Sequence, residues 1–209
     1  MNPLMSRSPN PRARSRSWAA WPLVGLLDGR LLAVVCVAAA CSADGSLPDP
    51  AGPASRVLVG PGPMPALCIN EFVASSDTSW LDADGTAPDW IELHNPTSEA
   101  VSLGAYVLTD APDATDAAPL DDSLVVPAGG FLVVVADGKP ELGPTHLPFS
   151  LNAEGEELAL LHVGGGEVLS FGVVQTDFAW ARSTDCCVDT PSCIEQVWLG
   201  TPGTTNGGL

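Results

Sequence analysis

The sequence predicts an all-β protein, an Ig-like β-sandwich, and three observations carry that prediction. From Ala66 onward, short runs rich in β-branched and aromatic residues alternate with turn clusters. No stretch sustains the 3.6-residue apolar period of an amphipathic helix. The clusters Asn95-Pro96, Pro127-Ala128-Gly129-Gly130, Asp137-Gly138-Lys139-Pro140 and Gly164-Gly165-Gly166 supply the backbone angles that tight turns require. Many short strands with regular turns and no helices are the pattern of two packed antiparallel sheets.

In chain order the expected strands are Leu67–Val73, Trp90–His94, Val101–Ser102, Tyr106–Thr109, Leu124–Val126, Phe131–Ala136, Leu158–Val163, Val168–Val174 and Trp198–Leu199. Alternation over Trp90–His94 puts Ile91 and Leu93 on one face and Trp90, Glu92 and His94 on the other. Trp90 becomes an exposed anchor for a partner if that second face is uncovered. The run at Phe131 is apolar on both faces, which predicts a central strand. Leu158–Val163 and Val168–Val174 flank the three glycines and are expected to form a hairpin. The glycines resemble a phosphate cradle in composition only, since no helix follows them.

Ahead of this body the composition changes. Arg7, Arg12, Arg14, Arg16 and Arg30 precede Cys41 with a single acid, Asp28, so the overall charge of −17 is an average. Residues 41–209 hold three bases (Arg56, Lys139, Arg182) against 24 acids, a net of −21. A surface of that sign repels phosphate backbones and anionic lipid headgroups and suits cations or basic partners. Residues 1–40 have the basic, then apolar, layout of a signal peptide, whose run Leu31–Ala40 is too short to span a bilayer, which takes about 20 residues. Joined to Trp18–Leu27 it would reach spanning length as an uncleaved anchor, with Asp28 and Arg30 in the middle. Val37-Ala38-Ala39-Ala40-Cys41-Ser42 resembles a bacterial lipoprotein lipobox, with Ala38 where Leu is usual, which makes Cys41 the expected lipidation site. The same residues also fit an A-x-A cleavage site that would release a secreted protein. Residues 41–65, with ten Pro or Gly in the 24 positions from Ser42, read as a disordered, semi-stiff linker.

Within the body, Ile69-Asn70-Glu71-Phe72, Asp89-Trp90-Ile91-Glu92-Leu93-His94-Asn95, Leu103–Asp110, Pro127–Val133, Phe149-x-Leu151 with Glu154-Gly155-Glu156-x-Leu158, and Thr201-Pro202-Gly203 with Asn206 follow one another in a recognisable order. They resemble the successive motifs of a lamin tail domain over residues 66–207, with Asn70, Glu71, Asp89, Trp90, Glu92 and Asn95 as the motif residues. One departure is Ala105-Tyr106 where that family usually has Gly-Trp. The resemblance implies an Ig-like sandwich of the kind found in nuclear lamins and in secreted and surface proteins of bacteria. The nuclear role is not implied, because the chain has no heptad rod, basic nuclear-localisation run or prenylation box.

Four cysteines follow Cys41. In an oxidising compartment Cys68, Cys186, Cys187 and Cys193 are expected to form two disulfides. A bond between the adjacent Cys186 and Cys187 is strained, leaving two pairings, each tying Cys68 to the C-terminal segment. Their C-C-x5-C spacing fits no common zinc pattern. Asp77, Asp82, Asp84 and Asp89 fall within thirteen residues, and Asp82-Ala83-Asp84-Gly85 is a fragment of a calcium loop, with hard oxygens at alternate positions and a glycine for the turn. The full EF-hand template fails, since its first position would be Trp80 and its last Ile91. No cofactor is expected, with turn-capping aspartates as the reading of this loop and a calcium site on Asp77, Asp82, Asp84 and Asp89 as the exception the pattern allows. The stretch Asp110–Asp122 has a similar but weaker pattern.

No H-E-x-x-H, G-x-S-x-G, Walker loop or dinucleotide fingerprint is present. His94 and His162 fall on expected strands, and nothing in the spacing of Glu71 and Glu92 brings them within glycosidase distance. The expected function is a non-catalytic binding or structural module, lipid-anchored at the envelope, in the outer membrane or at the cell surface, or else secreted, with a protein or polysaccharide partner. A calcium-dependent adhesion domain and a secreted hydrolase are the alternatives, the latter needing a histidine beside a nucleophile or carboxylate in a cleft.

Overall fold

The computed structural model describes residues 55–59 (backbone only), 66–113, 117, 119–163, 165–188 and 193–207. The expected signal peptide, Cys41 and the rest of the expected linker lie outside the described residues. No helix among them is long and apolar enough to cross a membrane.

Eleven strands are described: β1 Ser55–Val59, β2 Cys68–Val73, β3 Trp90–His94, β4 Val101–Ser102, β5 Tyr106–Thr109, β6 Val125–Val126, β7 Phe131–Val135, β8 Glu156–His162, β9 Gly165–Phe171, β10 Phe178–Arg182 and β11 Ile194–Trp198. They form a four-stranded sheet, β1-β9-β8-β5, a five-stranded sheet, β11-β10-β2-β3-β7, and the small ribbon β4-β6. Every pair is antiparallel. The core lies between the sheets, where Ile69, Phe72, Ile91 and Leu93 of one meet Leu108, Leu158, Leu160, Leu169 and Phe171 of the other. Phe72 and Phe171 pack with ring centroids 4.7 Å apart. Alternation alone cannot send both Ile69 and Phe72 inward. A bulge in β2 between Ile69 and Glu71 inserts the extra residue that does so.

A buried ion pair joins the sheets at that bulge. Glu167 of β9 accepts the Ile69 N–H at 2.7 Å and the Arg182 Nη2 donor at 2.8 Å. Arg182 Nε in turn donates to the Ile69 carbonyl at 2.7 Å. Ile69 lies beyond the last β2–β10 register pair, Glu71↔Ala181, so these side chains satisfy backbone groups that β10 does not. Close by, Cys68 is bonded to Cys186 and Cys187 to Cys193, one of the two pairings left open by the sequence.

Five expectations are corrected. Ser55–Val59, inside the expected linker, is a strand that pairs along β9 from Ser55↔Ser170 to Val59↔Gly166. β10, with its two small alanines, gave too weak a signal to be expected, and the last strand runs Ile194–Trp198 and ends before Leu199, whose φ of 66° leaves extended geometry. β7 is at the edge of its sheet, not central. Its apolar outer side is covered by the following loop, which exchanges the Val135 N–H to Thr145 carbonyl and Leu147 N–H to Val135 carbonyl bonds. Finally, Gly165 and Gly166 are strand residues. The β8–β9 hairpin is real and pairs His162↔Gly165, and a Cβ at Gly166 would lie 2.5 Å from the Leu160 carbonyl oxygen.

Candidate functional site

Three regions contain the residues the sequence singles out: the acidic loop before β3, the outer face of the five-stranded sheet, and a cleft beside β5.

In the acidic loop the aspartates bind the loop itself. Asp82 accepts the Asp84 N–H, the Thr86 N–H and the Thr86 hydroxyl, and the Thr86 bonds hold its carboxyl below the ordinary value. Asp89 accepts the Ser76 N–H, and burial pushes it up to about 6 despite that bond. Asp77 contributes its own amide to Asp177, a residue with no sequence signal. Asp177 Oδ1 accepts the amides of Asp77, Thr78 and Ser79 at 2.7–3.0 Å, and Oδ2 takes the Thr78 hydroxyl. Desolvation opposes its ionisation, but these bonds together outweigh it and bring Asp177 down to about 2. Asp82 and Asp89 therefore act as turn and loop anchors, while Asp77 and Asp84 contribute their backbone amides, and among the described residues no three His, Cys, Asp or Glu side chains group as a metal site requires. All four described cysteines are in disulfides, so no thiolate remains for a metal among them.

On the outer face, Trp90 is fully buried, not an exposed anchor. It packs with Val73, Ala179, Trp80, Val133 and Val197, and its indole N–H donates to Ser79 Oγ. Beside it, Glu71 and Glu92 are direct register partners across β2 and β3, contrary to the expectation from their spacing. Both are 0% exposed. Burial raises Glu71 above its ordinary value against the bonds from Thr201, with Asp185 adding to the rise. Burial likewise pushes Glu92 up to about 7, against bonds from Asn70 and Gly203. The cover is the segment 199–206. Thr201 donates its amide and hydroxyl to Glu71 Oε2, Gly203 its amide to Glu92 Oε2, and Asn206 its amide to Asp185 Oδ1. Asn70 sits at the centre, donating to Glu92 and Asp185 and accepting the Cys186 N–H. Gly200, at φ +66°, lies so close that a Cβ there would run into the Glu71 carboxyl. Asn95 ties the end of β3 to the next turn by donating to the Glu99, Val126 and Pro127 carbonyls. Each motif residue thus has a structural bond or packing role.

The histidines fall elsewhere. His94 stacks on Phe131 and bonds the Gly130 carbonyl, and His162 packs on Tyr106. His146 is 3.1 Å from Asp137, which also has Lys139 at 3.9 Å. His146 lines a cleft of about 480 Å³ between the end of β5 and the loop after β7. Leu108, Leu120, Leu147 and Phe149 are its apolar lining, and Asp110 and Asp121 its carboxylates. Bonds from Ser123, side chain and backbone, hold Asp121 below its ordinary value. A histidine beside a carboxylate in a cleft meets part of what a hydrolase needs. Among the described residues the lining has no serine or cysteine, and the hydroxyl of its threonine, Thr109, accepts the Ala111 N–H. The site has the composition of a binding cleft: apolar walls with a few placed charges.

The lamin tail domain family model matches residues 62–175, more than half of the chain. No curated protein matches the chain by sequence. The matched span covers β2 to β9 and stops before β10 and β11, which complete the five-stranded sheet. With this match, and with the Asn70-Glu71 and Asp89–Asn95 motifs placed on paired strands of an Ig-like sandwich, the chain belongs to the lamin tail domain family, a family of Ig-like interaction domains.

Proposed function

We propose that this protein is an exported, non-catalytic module, held at the bacterial envelope through a lipid on Cys41, that binds a basic protein segment in the cleft beside β5. The observation that carries the reading is the cleft itself: an apolar lining with Asp110 and Asp121, on a body whose net charge is −21. An apolar wall with carboxylates beside it fits an extended segment that alternates Lys or Arg with apolar residues. The two disulfides support an oxidising compartment, and the lipobox-like residues before Cys41 support the anchor.

The test uses the purified protein and two fluorescent peptides of equal length, one alternating Arg with Leu and one Glu with Leu. Micromolar binding of the basic peptide, weakened at least tenfold by Asp110→Asn with Asp121→Asn, is the expected result. Equal binding of both peptides, no binding, or no effect of the double substitution overturns the reading. The anchor is tested by the intact mass of the mature N-terminus, which should carry acyl groups on Cys41. An unmodified N-terminus refutes it.

A further inference from the structure

We propose that segment 199–206 is a proton-operated latch, which stays closed over Glu71 and Glu92 while that pair holds a proton and lets go when both carboxyls ionise. The inference does not depend on what the cleft binds.

The geometry supports it in three ways. First, the segment is held to the outer sheet face through carboxylate acceptors: Thr201 on Glu71, Gly203 on Glu92 and Asn206 on Asp185. Second, no cation among the described side chains balances these groups. Facing the pair are Asp185 from the loop after β10 and His94 one pleat along β3, whose Nδ1 is engaged with the Gly130 carbonyl. The register partner of Glu92 on β7 is Val133 and that of Glu71 on β10 is Ala181, both uncharged. Arg182, the one arginine whose side chain is described, is bonded to Glu167 between the sheets. Third, Glu71 Oε1 is buried with no hydrogen-bond donor among the described residues, so an ionised Glu71 has an oxygen that the surrounding protein groups do not satisfy.

Two effects compete when the pair ionises. The latch amides bond a carboxylate more strongly than a neutral carboxyl, which favours closure. Burial disfavours the charge, which favours opening to water. Burial is the larger, since it raises both groups despite those bonds, Glu92 to about 7. Opening therefore lowers the cost of ionisation, and by linkage ionisation promotes opening.

Amide hydrogen exchange tests this on the wild-type protein at pH 5.5 and 8.5, after correction for the intrinsic exchange rate. Protection of the Thr201, Gly203 and Asn206 amides should fall at least tenfold at pH 8.5, while the Ile91 and Leu93 amides of β3 keep theirs. Glu92→Gln should abolish the difference between the two pH values. Unchanged protection of the three latch amides in the wild type overturns the proposal. So does a parallel fall at β3, which would mean global unfolding, or a Glu92→Gln protein that retains the full pH effect.

Discussion

Asp177→Asn removes one charge from a single carboxylate that gathers four hydrogen bonds from the loop before β3. The substitution leaves the backbone unstrained, because asparagine tolerates the φ of 62° found at Asp177. It also keeps an amide oxygen where Oδ1 accepts three N–H groups, and the Thr78 hydroxyl can turn to accept from the new NH2. What is lost is the charge assistance. Bonds to ionised acceptors contribute about 1.5–3 kcal/mol against about 0.5–1.5 for neutral ones, and shared acceptors do not add, so a loss of about 1–2 kcal/mol at pH 7 is expected. The pH dependence is a second readout. Asp177 titrates near 2 in the folded protein against an ordinary 3.8, so its stabilisation is full above about pH 5 and is lost as pH falls towards 2. About half of it should be gone by pH 3. Urea unfolding followed by tryptophan fluorescence measures both, since Trp80 lies in the loop region and Trp90 is bonded to Ser79. No gap between wild type and variant at pH 7, or a gap of the same size at pH 3, refutes the assignment of Asp177 as the loop's electrostatic anchor.

Other outcomes follow from the same contacts. Asp89, Glu71 and Glu92 titrate above their ordinary values when folded, so the stability they give is complete below about pH 4 and is lost at higher pH, for Asp89 and Glu92 as pH rises through about 6 and about 7. The urea midpoint of the wild type should fall between pH 5 and 8, and Glu92→Gln should flatten that fall. Opening the Cys68–Cys186 bond, which closes 118 residues, should cost about 4–5 kcal/mol, and opening Cys187–Cys193, which closes 6, about 2 kcal/mol, as measured by unfolding of the paired Ser variants. Glu167→Ala should lose about 3–5 kcal/mol by leaving Arg182 buried without its carboxylate, and replacing both by apolar residues should recover most of that in the same assay.

Strands with a marked apolar or β-branched pattern were legible from residues alone, whereas β10, with its alanines, was not, although Trp180 faces the core. β3 runs from Trp90 to His94 and β5 from Tyr106 to Thr109, as the alternation predicts. What pattern cannot report is which strand lies beside which. Phe131–Val135 is apolar enough for a central position, yet the loop carrying His146 and Leu147 covers it instead of a strand. Glu71 and Glu92 are 21 positions apart, and only the β2 bulge sets the register that places them opposite each other. Asp177 was illegible for a related reason: its partners are about 100 residues earlier, and its left-handed backbone leaves no mark in the local sequence. The acidic loop shows the reverse case, where a metal-like spacing of aspartates was visible and the bonding that occupies Asp82 and Asp89 was not.

Cys186 and Cys187 are neighbours in the chain but belong to different crosslinks, and that adjacency bears on how the protein must be made. The nearest wrong isomer differs by a slip of one residue, with Cys68 joined to Cys187 and Cys186 to Cys193, and it leaves loops of almost the same length, so chain entropy does not discriminate against it. The choice instead falls to contacts made late, Asn70 holding the Cys186 amide and Arg182 the Cys187 carbonyl. The first depends on β2 and β10 being already side by side, and the second on Arg182 being held in place at the end of β10. Correct oxidation is therefore a consequence of folding rather than a guide to it, and a disulfide isomerase is what should determine the yield of correctly folded protein.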